Sequence, residues 1–302
     1  MKKEDKKRGV FYLVYSTKTT TMNKGMQYML ISSFAFSLMH LCVKALPHIP
    51  VFELVFFRSL VSLLISLKSL KKKNIPIFGN NRKVLLARGL LGATALTLFF
   101  ITLQNIPLAG AVTIQYLSPI FTAFFAVWIL KEKIKNRQWL FFLLAFFGVL
   151  TLKGFDISGQ ISFKYVGIGL VSACFSGLAY NCIRLLRTTE NPLVVVFYFP
   201  LVATPIMAVL SYFNWIQPQG KDWIYLLFLG IITQVAQIYM TKGIQSDRAG
   251  NIMTYKYIGV LFAFGYGYLF FGETYSFMSV FGILLLLSGV LLNVVFKYKT
   301  VE

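Results

Sequence analysis

The chain has 302 residues, 57% of them hydrophobic and only 13% charged, and its mean hydropathy is +0.69; this balance excludes an ordinary water-soluble domain. A net charge of +20 raises nucleic acid as a partner, a reading that stands or falls on where the basic residues lie. No GxxxxGK[ST] motif, HExxH pair or metal-spaced His/Cys cluster occurs, so nothing points to ATP hydrolysis, a metal or any other cofactor.

In chain order, residues 1–21 read as a basic, disordered cytoplasmic tail, with Met22 an equal candidate for the true start. The apolar stretch "GVFYLVY" at 9–15 is too short for a signal core or a span. Ten apolar blocks follow, at 25–46, 50–70, 84–104, 107–130, 138–153, 164–187, 192–213, 222–244, 249–271 and 277–296. Crossing a bilayer takes about 20 residues of helix, and the blocks lack the residue-by-residue alternation of barrel strands. The expected fold class is an all-α integral membrane protein with ten transmembrane helices.

With the N-terminus in the cytoplasm, 23 of the 30 Lys and Arg residues fall inside. Three (Lys153, Lys164 and Lys221) fall outside, and four (Lys44, Arg58, Arg88 and Lys256) lie within spans. That asymmetry is the positive-inside rule at work for ten spans with both termini cytoplasmic. Topology accounts for the basic charge without nucleic acid. The three cysteines sit in apolar runs without CxxC spacing and read as packing residues.

An offset of 141 residues superposes Gln104 on Gln245, Thr113 on Thr254, Tyr116 on Tyr257 and Glu132 on Glu273. An offset of 140 superposes Ser32 on Ser172, Cys42 on Cys182 and Lys44 on Arg184. The chain therefore reads as two copies of a five-helix unit, over 22–153 and 164–302. Because five is odd, the copies must lie inverted in the membrane, an arrangement that secondary transporters use to alternate access to a midplane site.

The stretch "ARGLLGATALTLFFITLQNIPLAGAVTIQYLSPIFTAFFAVWILKEKIKNRQWLFFLLAFFGVLTL" at 87–152 resembles an EamA domain of the drug/metabolite transporter superfamily. "FELVFFR" at 52–58 is similar to that family's second helix, with Arg58 at its arginine. The resemblance, covering about 25–296, implies a ten-helix transporter with a central cavity lined mainly by helices 1–4 and 6–9. The second copy departs from the pattern, "YKYIGV" (255–260) standing where the first has "IQYLSP" (114–119).

Lys256 is the repeat mate of Gln115, and each is followed by a tyrosine, Tyr257 or Tyr116. It stands eight residues past Arg248, about 12 Å of helix rise into the bilayer. Its stem either snorkels back to the interface or holds its charge in a water-filled, substrate-contacting cavity. Arg58 is expected to pair with Glu53 or a substrate acid. Glu53 itself is the coupling candidate, as a carboxylate within a span, or else only a helix-start charge after Pro50. Lys44 snorkels or pairs with Glu53, and Arg184 reads as a cytoplasmic boundary charge. Pro119 deprives the Gln115 carbonyl of its helical partner, and Pro200 and Pro205 do the same for Val196 and Leu201 and should bend their helix. Asn181, Tyr180, Gln234 and Gln237 offer hydrogen bonds to substrate or between helices. Gly169, Ala173 and Gly177 read as a close-packing stripe, and Glu132 and Glu273 as boundaries or gates. Tyr116, Tyr180, Tyr255 and Tyr257 offer faces for stacking.

The function expected is secondary transport of a small organic metabolite, an amino acid or related zwitterionic or anionic compound, across the cytoplasmic membrane by alternating access. The alternative is a membrane-embedded enzyme or sensor that binds without moving its ligand. Arg58, Gln115, Tyr116, Tyr180, Asn181, Gln234, Gln237, Lys256 and Tyr257 are the substrate-binding candidates. The partners implied are a small-molecule substrate and the lipid bilayer, with a homodimer left open.

Overall fold

Helices follow the apolar blocks almost one for one. The computed structural model describes residues 24–132, 136–154, 162–246 and 255–299, so the basic tail at 1–21 lies outside the described residues. In order these form α1 (Lys24–Ala45), α2 (Val51–Lys72), α3 (Arg82–Asn105), α4 (Leu108–Gln115), α5 (Ser118–Ile129) and α6 (Asn136–Gly154). The second half continues as α7 (Phe163–Leu185), α8 (Pro192–Tyr212), α9 (Asp222–Ser246), α10 (Ile258–Phe271) and α11 (Phe277–Lys299). No strand occurs among the described residues. Among the described residues, six stretches are long and apolar enough to cross a membrane: α1, α3, α4 with α5, α7, α8 and α9. Leu64, Leu140, Ile224, Leu261 and Leu269 turn their side chains outward, as helices apolar all round do when lipid is the solvent. The protein is a multi-pass, all-helical membrane protein.

Local chemistry sets the helix ends. α2 starts after Pro50 and α8 has Pro192 in its first turn, where a missing N–H costs nothing. Asn81 and Asn191 cap α3 and α8 by accepting from the amides of Val84 and Leu193. α10 stops at Gly272, whose φ of +59° favours glycine.

Two blocks are not single helices. The fourth breaks at Tyr116–Leu117 into α4 and α5, with Pro119 in the first turn of α5. In the ninth, residues 255–257 form a 3₁₀ turn before α10 begins at Ile258, although Val260 there replaces the proline. Pro200 and Pro205, by contrast, leave α8 continuous, a tolerance usual in membrane helices.

The connections at 46–50, 73–81 and 106–107 are too short to recross a helix length, so successive helices run antiparallel. Side chains tie the ends together. At the α1–α2 end, Gln104 Nε2 donates to the carbonyls of Leu46 and Ile49, each at 3.1 Å. At the α2–α3 end, the amides of Asn80 and Asn81 both donate to Glu190 Oε1 at 2.6 Å. Laterally, α1 packs on α9, α3 on α7, α2 on α8 and α6 on α11. Close approach uses small residues. A Cβ on Gly177 would lie 2.6 Å from Phe121 Cβ and 2.8 Å from the Thr122 amide on α5. Gly169 similarly lets α7 meet Ile114 and Thr102.

Candidate functional site

The breaks at the start of α5 and α10 hold Gln115 and Lys256 against a central cavity. Its lining includes Ser33, Phe36 and His40 from α1, Arg88, Gly92 and Phe99 from α3, and Gln115 and Tyr116 at the α4–α5 break. Ser176 and Tyr180 come from α7, Phe199 from α8, Gln237 from α9, and Lys256 from the 3₁₀ turn. The cavity has a volume of about 80 Å³. At roughly 10–15 Å³ per molecule this is room for several waters, or a small organic solute in their place.

Lys256 is 8% exposed, and its Nζ donates to Tyr180 Oη at 2.7 Å. The ammonium also lies 4.9 Å from the centroid of Tyr180, 5.8 Å from Tyr116 and 6.0 Å from Phe36. Its head thus ends inside the protein among aromatic faces, which attract a cation through their quadrupoles. Gln115, its mate, is held to α7: Nε2 donates to Ser176 Oγ at 2.7 Å and Oε1 accepts from Ser172 Oγ at 2.9 Å. Tyr116 and Tyr257 meet edge to face, with centroids 5.2 Å apart.

Two arginines share one ring. Arg88 Nη2 donates to Gln237 Oε1 at 3.3 Å. Its guanidinium lies where a Cβ on Gly92 would be, so glycine one turn on makes its seat. It is 5.6 Å from the centroid of Phe199, and the Arg58 guanidinium is 4.6 Å from the same ring. Arg58 is 0% exposed, and its Nε, Nη1 and Nη2 have no hydrogen-bond partner among the described residues.

The pairing of Arg58 with Glu53 does not form. Five residues of helix turn two side chains about 140° apart, whereas neighbours on one face are three or four apart. Glu53 instead accepts from the Ile216 amide at 3.0 Å at the α1–α2 end. Lys44 does not meet Glu53 either, since its Nζ donates to the Ile106 carbonyl at 2.6 Å and lies 3.7 Å from Glu273 Oε1. Arg184, expected only as a boundary charge, pairs with Glu132 at the opposite end. The two ion pairs join residues that the repeat offsets superpose, Lys44 with Arg184 and Glu273 with Glu132.

Every acid described is engaged at a helix end. Glu53 and Glu190 accept from backbone amides, Asp222 from His48 and the Gln219 amide, Glu132 from Arg184, and Glu273 from the Leu108 amide and Tyr275. Among the described residues, the cavity lining contains no Asp or Glu. The lysine and arginine among the described lining residues are Lys256 and Arg88, with Arg58 outside the lining against the Phe199 ring.

Of the residues predicted from sequence, the cavity gathers Gln115, Tyr116, Tyr180, Gln237 and Lys256. Arg58 and Tyr257 lie outside the lining, and the Tyr257 hydroxyl is buried without a partner among the described residues. Asn181 Nδ2 donates to the carbonyls of Thr122 and Gly177 at 3.0 and 3.2 Å. Gln234 Nε2 donates to Ser66 Oγ at 2.7 Å, joining α9 to α2. Sequence reasoning missed the contribution of Arg88. It counted the residue within a span and assigned it no role. The glycine one turn later was the available signal. Phe199, Phe36 and Ser176 gave none.

A model of the EamA-like transporter family matches residues 23–153 and again residues 163–295. The chain is 30% identical to the pseudopaline exporter CntI of Pseudomonas aeruginosa over 86% of its own length and 92% of that protein's. It is 30% identical to the human solute carrier family 35 member G1 over 86% and 76% of the two chains. Against the S-adenosylmethionine uptake transporter of Rickettsia felis the identity is 23%, over 74% and 75%. A crystal structure at 16% identity superposes with a TM-score of 0.64 over 92% of this chain and 97% of its own, which speaks to the fold.

Proposed function

Because the chain belongs to the EamA-like transporter family of the drug/metabolite transporter superfamily, we propose that it carries a small zwitterionic or anionic organic metabolite, such as an amino acid, by alternating access across the cytoplasmic membrane. The family consists of transporters, so an enzymatic role falls away. The observation that carries the cargo class is Lys256, a caged ammonium in a lining with no carboxylate among the described residues. In surroundings of low dielectric, an uncompensated charge is tolerated where a pathway or partner answers it. A cargo carboxylate supplies the partner. The two relatives named for their cargo differ in both cargo and direction, so the class rests on cavity chemistry.

The mechanism invokes two inverted five-helix halves, 22–153 and 164–302, with both termini cytoplasmic. Several observations support it. The family model matches each half separately. Exchanging the halves turns the α1–α9 contact into α7–α3, and leaves α2 on its own mate α8 and α6 on α11. A count of 23 Lys and Arg residues inside against three outside supports that orientation. Glu53 has no part in the proposal as a coupling group, since its carboxylate holds the Ile216 amide away from the cavity.

The test is flux into sealed proteoliposomes offered a labelled mixture of cationic, neutral, zwitterionic and anionic amino and organic acids. Protein-dependent movement of the zwitterionic and anionic members is expected. Movement of cations alone, or binding with no flux, would overturn the proposal.

A further inference from the structure

We propose that Arg58 and Arg88 form a second acid-binding subsite beside the one at Lys256, so that the cargo is a small organic molecule carrying two acid groups. This deepens the reading above and rests on it. The first acid group lies at Lys256 and Tyr180, and the second at Arg88 and Gln237, with Arg58 reinforcing it from its own place against the Phe199 ring.

Charge comes first. Among the described residues, the basic side chains of Lys256 and Arg88 line the cavity and that of Arg58 lies against the Phe199 ring, while every described carboxylate is engaged at a helix end. A cargo with one acid group answers Lys256 and leaves both guanidiniums near Phe199 unanswered. Two acid groups answer both lining cations.

Geometry comes second. A guanidinium presents five donors in a planar fork, and the fork suits a carboxylate or phosphate held through two bonds. Arg88 uses Nη2 on Gln237, and Gly92 clears the space in which its fork meets the cavity. Arg58 is the stronger signal. A wholly buried guanidinium with all three nitrogens unpartnered is costly unless some state of the protein supplies an acceptor. Phe199 is shared by both, its ring centroid 4.6 Å from the Arg58 guanidinium and 5.6 Å from that of Arg88, and it is itself part of the lining. An acid group on Arg88 comes to rest against that ring, and a change of its rotamer opens Arg58 to the same group.

Lys256 and the arginines also differ in kind. An ammonium is a point charge with rotatable donors, and a guanidinium fork is directional. The first subsite therefore accepts an acid group in many poses, and the second selects for one aligned with the fork.

The experiment uses the full-length protein in proteoliposomes and pairs of probes that differ only in one acid group: glutamate with glutamine, and succinate with succinamate. Wild type is expected to favour the diacid of each pair by at least about tenfold in initial rate at limiting concentration, since a bond to a charged group is worth about 1.5–3 kcal/mol. Arg88→Gln and Arg58→Gln should each pull that ratio toward one. Gly92→Ala should do so as well by displacing the Arg88 fork without removing a charge, which keeps the test sound if an arginine variant does not fold. Lys256→Gln should slow both members together. Equal rates for both members in wild type overturn the second subsite while leaving anion transport standing. A diacid preference that survives in Arg88→Gln and Gly92→Ala makes the arginines structural and overturns it too. No flux of any acid probe removes the cargo class and this inference together.

Discussion

Replacing Lys256 by glutamine puts the first repeat's residue into the second and removes one charge with little change in reach. In the structure that charge makes one hydrogen bond, at 2.7 Å to Tyr180, and lies within 6.0 Å of three ring centroids. Two effects follow, of opposite sign. The empty protein loses cation–π attraction of about 0.5–2 kcal/mol, but it is relieved of a buried ammonium that costs about 2.5–3.5 kcal/mol in a membrane helix. Stability should therefore hold or rise slightly. The loaded protein loses a charge-assisted bond to cargo, worth about 1.5–3 kcal/mol, or roughly 10- to 150-fold at 1.4 kcal/mol per tenfold. The assay is initial uptake at limiting substrate, normalised to reconstituted protein, beside thermal unfolding in detergent. Uptake should fall by at least about tenfold with the unfolding midpoint unchanged or raised. Lys256→Arg should also be impaired, because a planar fork replaces a compact head. A Gln variant that transports within about twofold of wild type would refute the reasoning.

The Lys44–Glu273 and Arg184–Glu132 pairs close opposite ends of the molecule, so in a background without native cysteines a cysteine at Ala179 should report each end separately. Glu273→Gln should speed its reaction with an impermeant thiol reagent added outside, and Glu132→Gln with reagent added inside; equal acceleration from both sides in both variants would refute paired end closures. Gly177→Ala forces a methyl against the Thr122 amide at 2.8 Å and should destabilise by about 1–3 kcal/mol. Gly167→Ala on the same helix meets nothing within 4 Å and serves as the control, and equal unfolding midpoints for the two variants would exclude the close approach of α5 and α7. Cysteines at Lys73 and Gln219, both exposed at opposite ends, should label from inside and outside respectively on intact cells. The reverse pattern would invert the proposed topology.

The helix plan was legible because a bilayer demands long apolar stretches, and only short connectors interrupt them here. The breaks were half legible. Pro119 announces one, whereas the 3₁₀ turn at 255–257 precedes a helix whose proline position is Val260. The repeat offsets found the two end ion pairs without showing that they were pairs, since they matched Lys44 to Arg184 and Glu132 to Glu273 but could not join cation to acid. Partner choice was the illegible part. Arg58 and Glu53 are close in sequence and turned apart in space. Asn181 and Gln234 look equally available for cargo and prove bonded to neighbouring helices. A helix apolar on all sides has no stripe to tell which way it is rotated, so its few polar residues give depth in the membrane without giving direction.

The meeting of Tyr116 with Tyr257, residues that hold the same place in the two halves, means that the cavity straddles a seam where each half faces its own image. Were the halves separate, identical chains, any residue chosen for that seam would appear twice. A lysine at the position of Lys256 would then share the cavity with a second lysine, and a glutamine would leave neither place charged. Covalent joining lets the copies drift apart in sequence, so the seam can keep one ammonium opposite one amide. A cavity with unlike walls can distinguish the two ends of an asymmetric molecule. Cargo held there adopts one orientation, where a perfectly twofold site would offer two of equal energy.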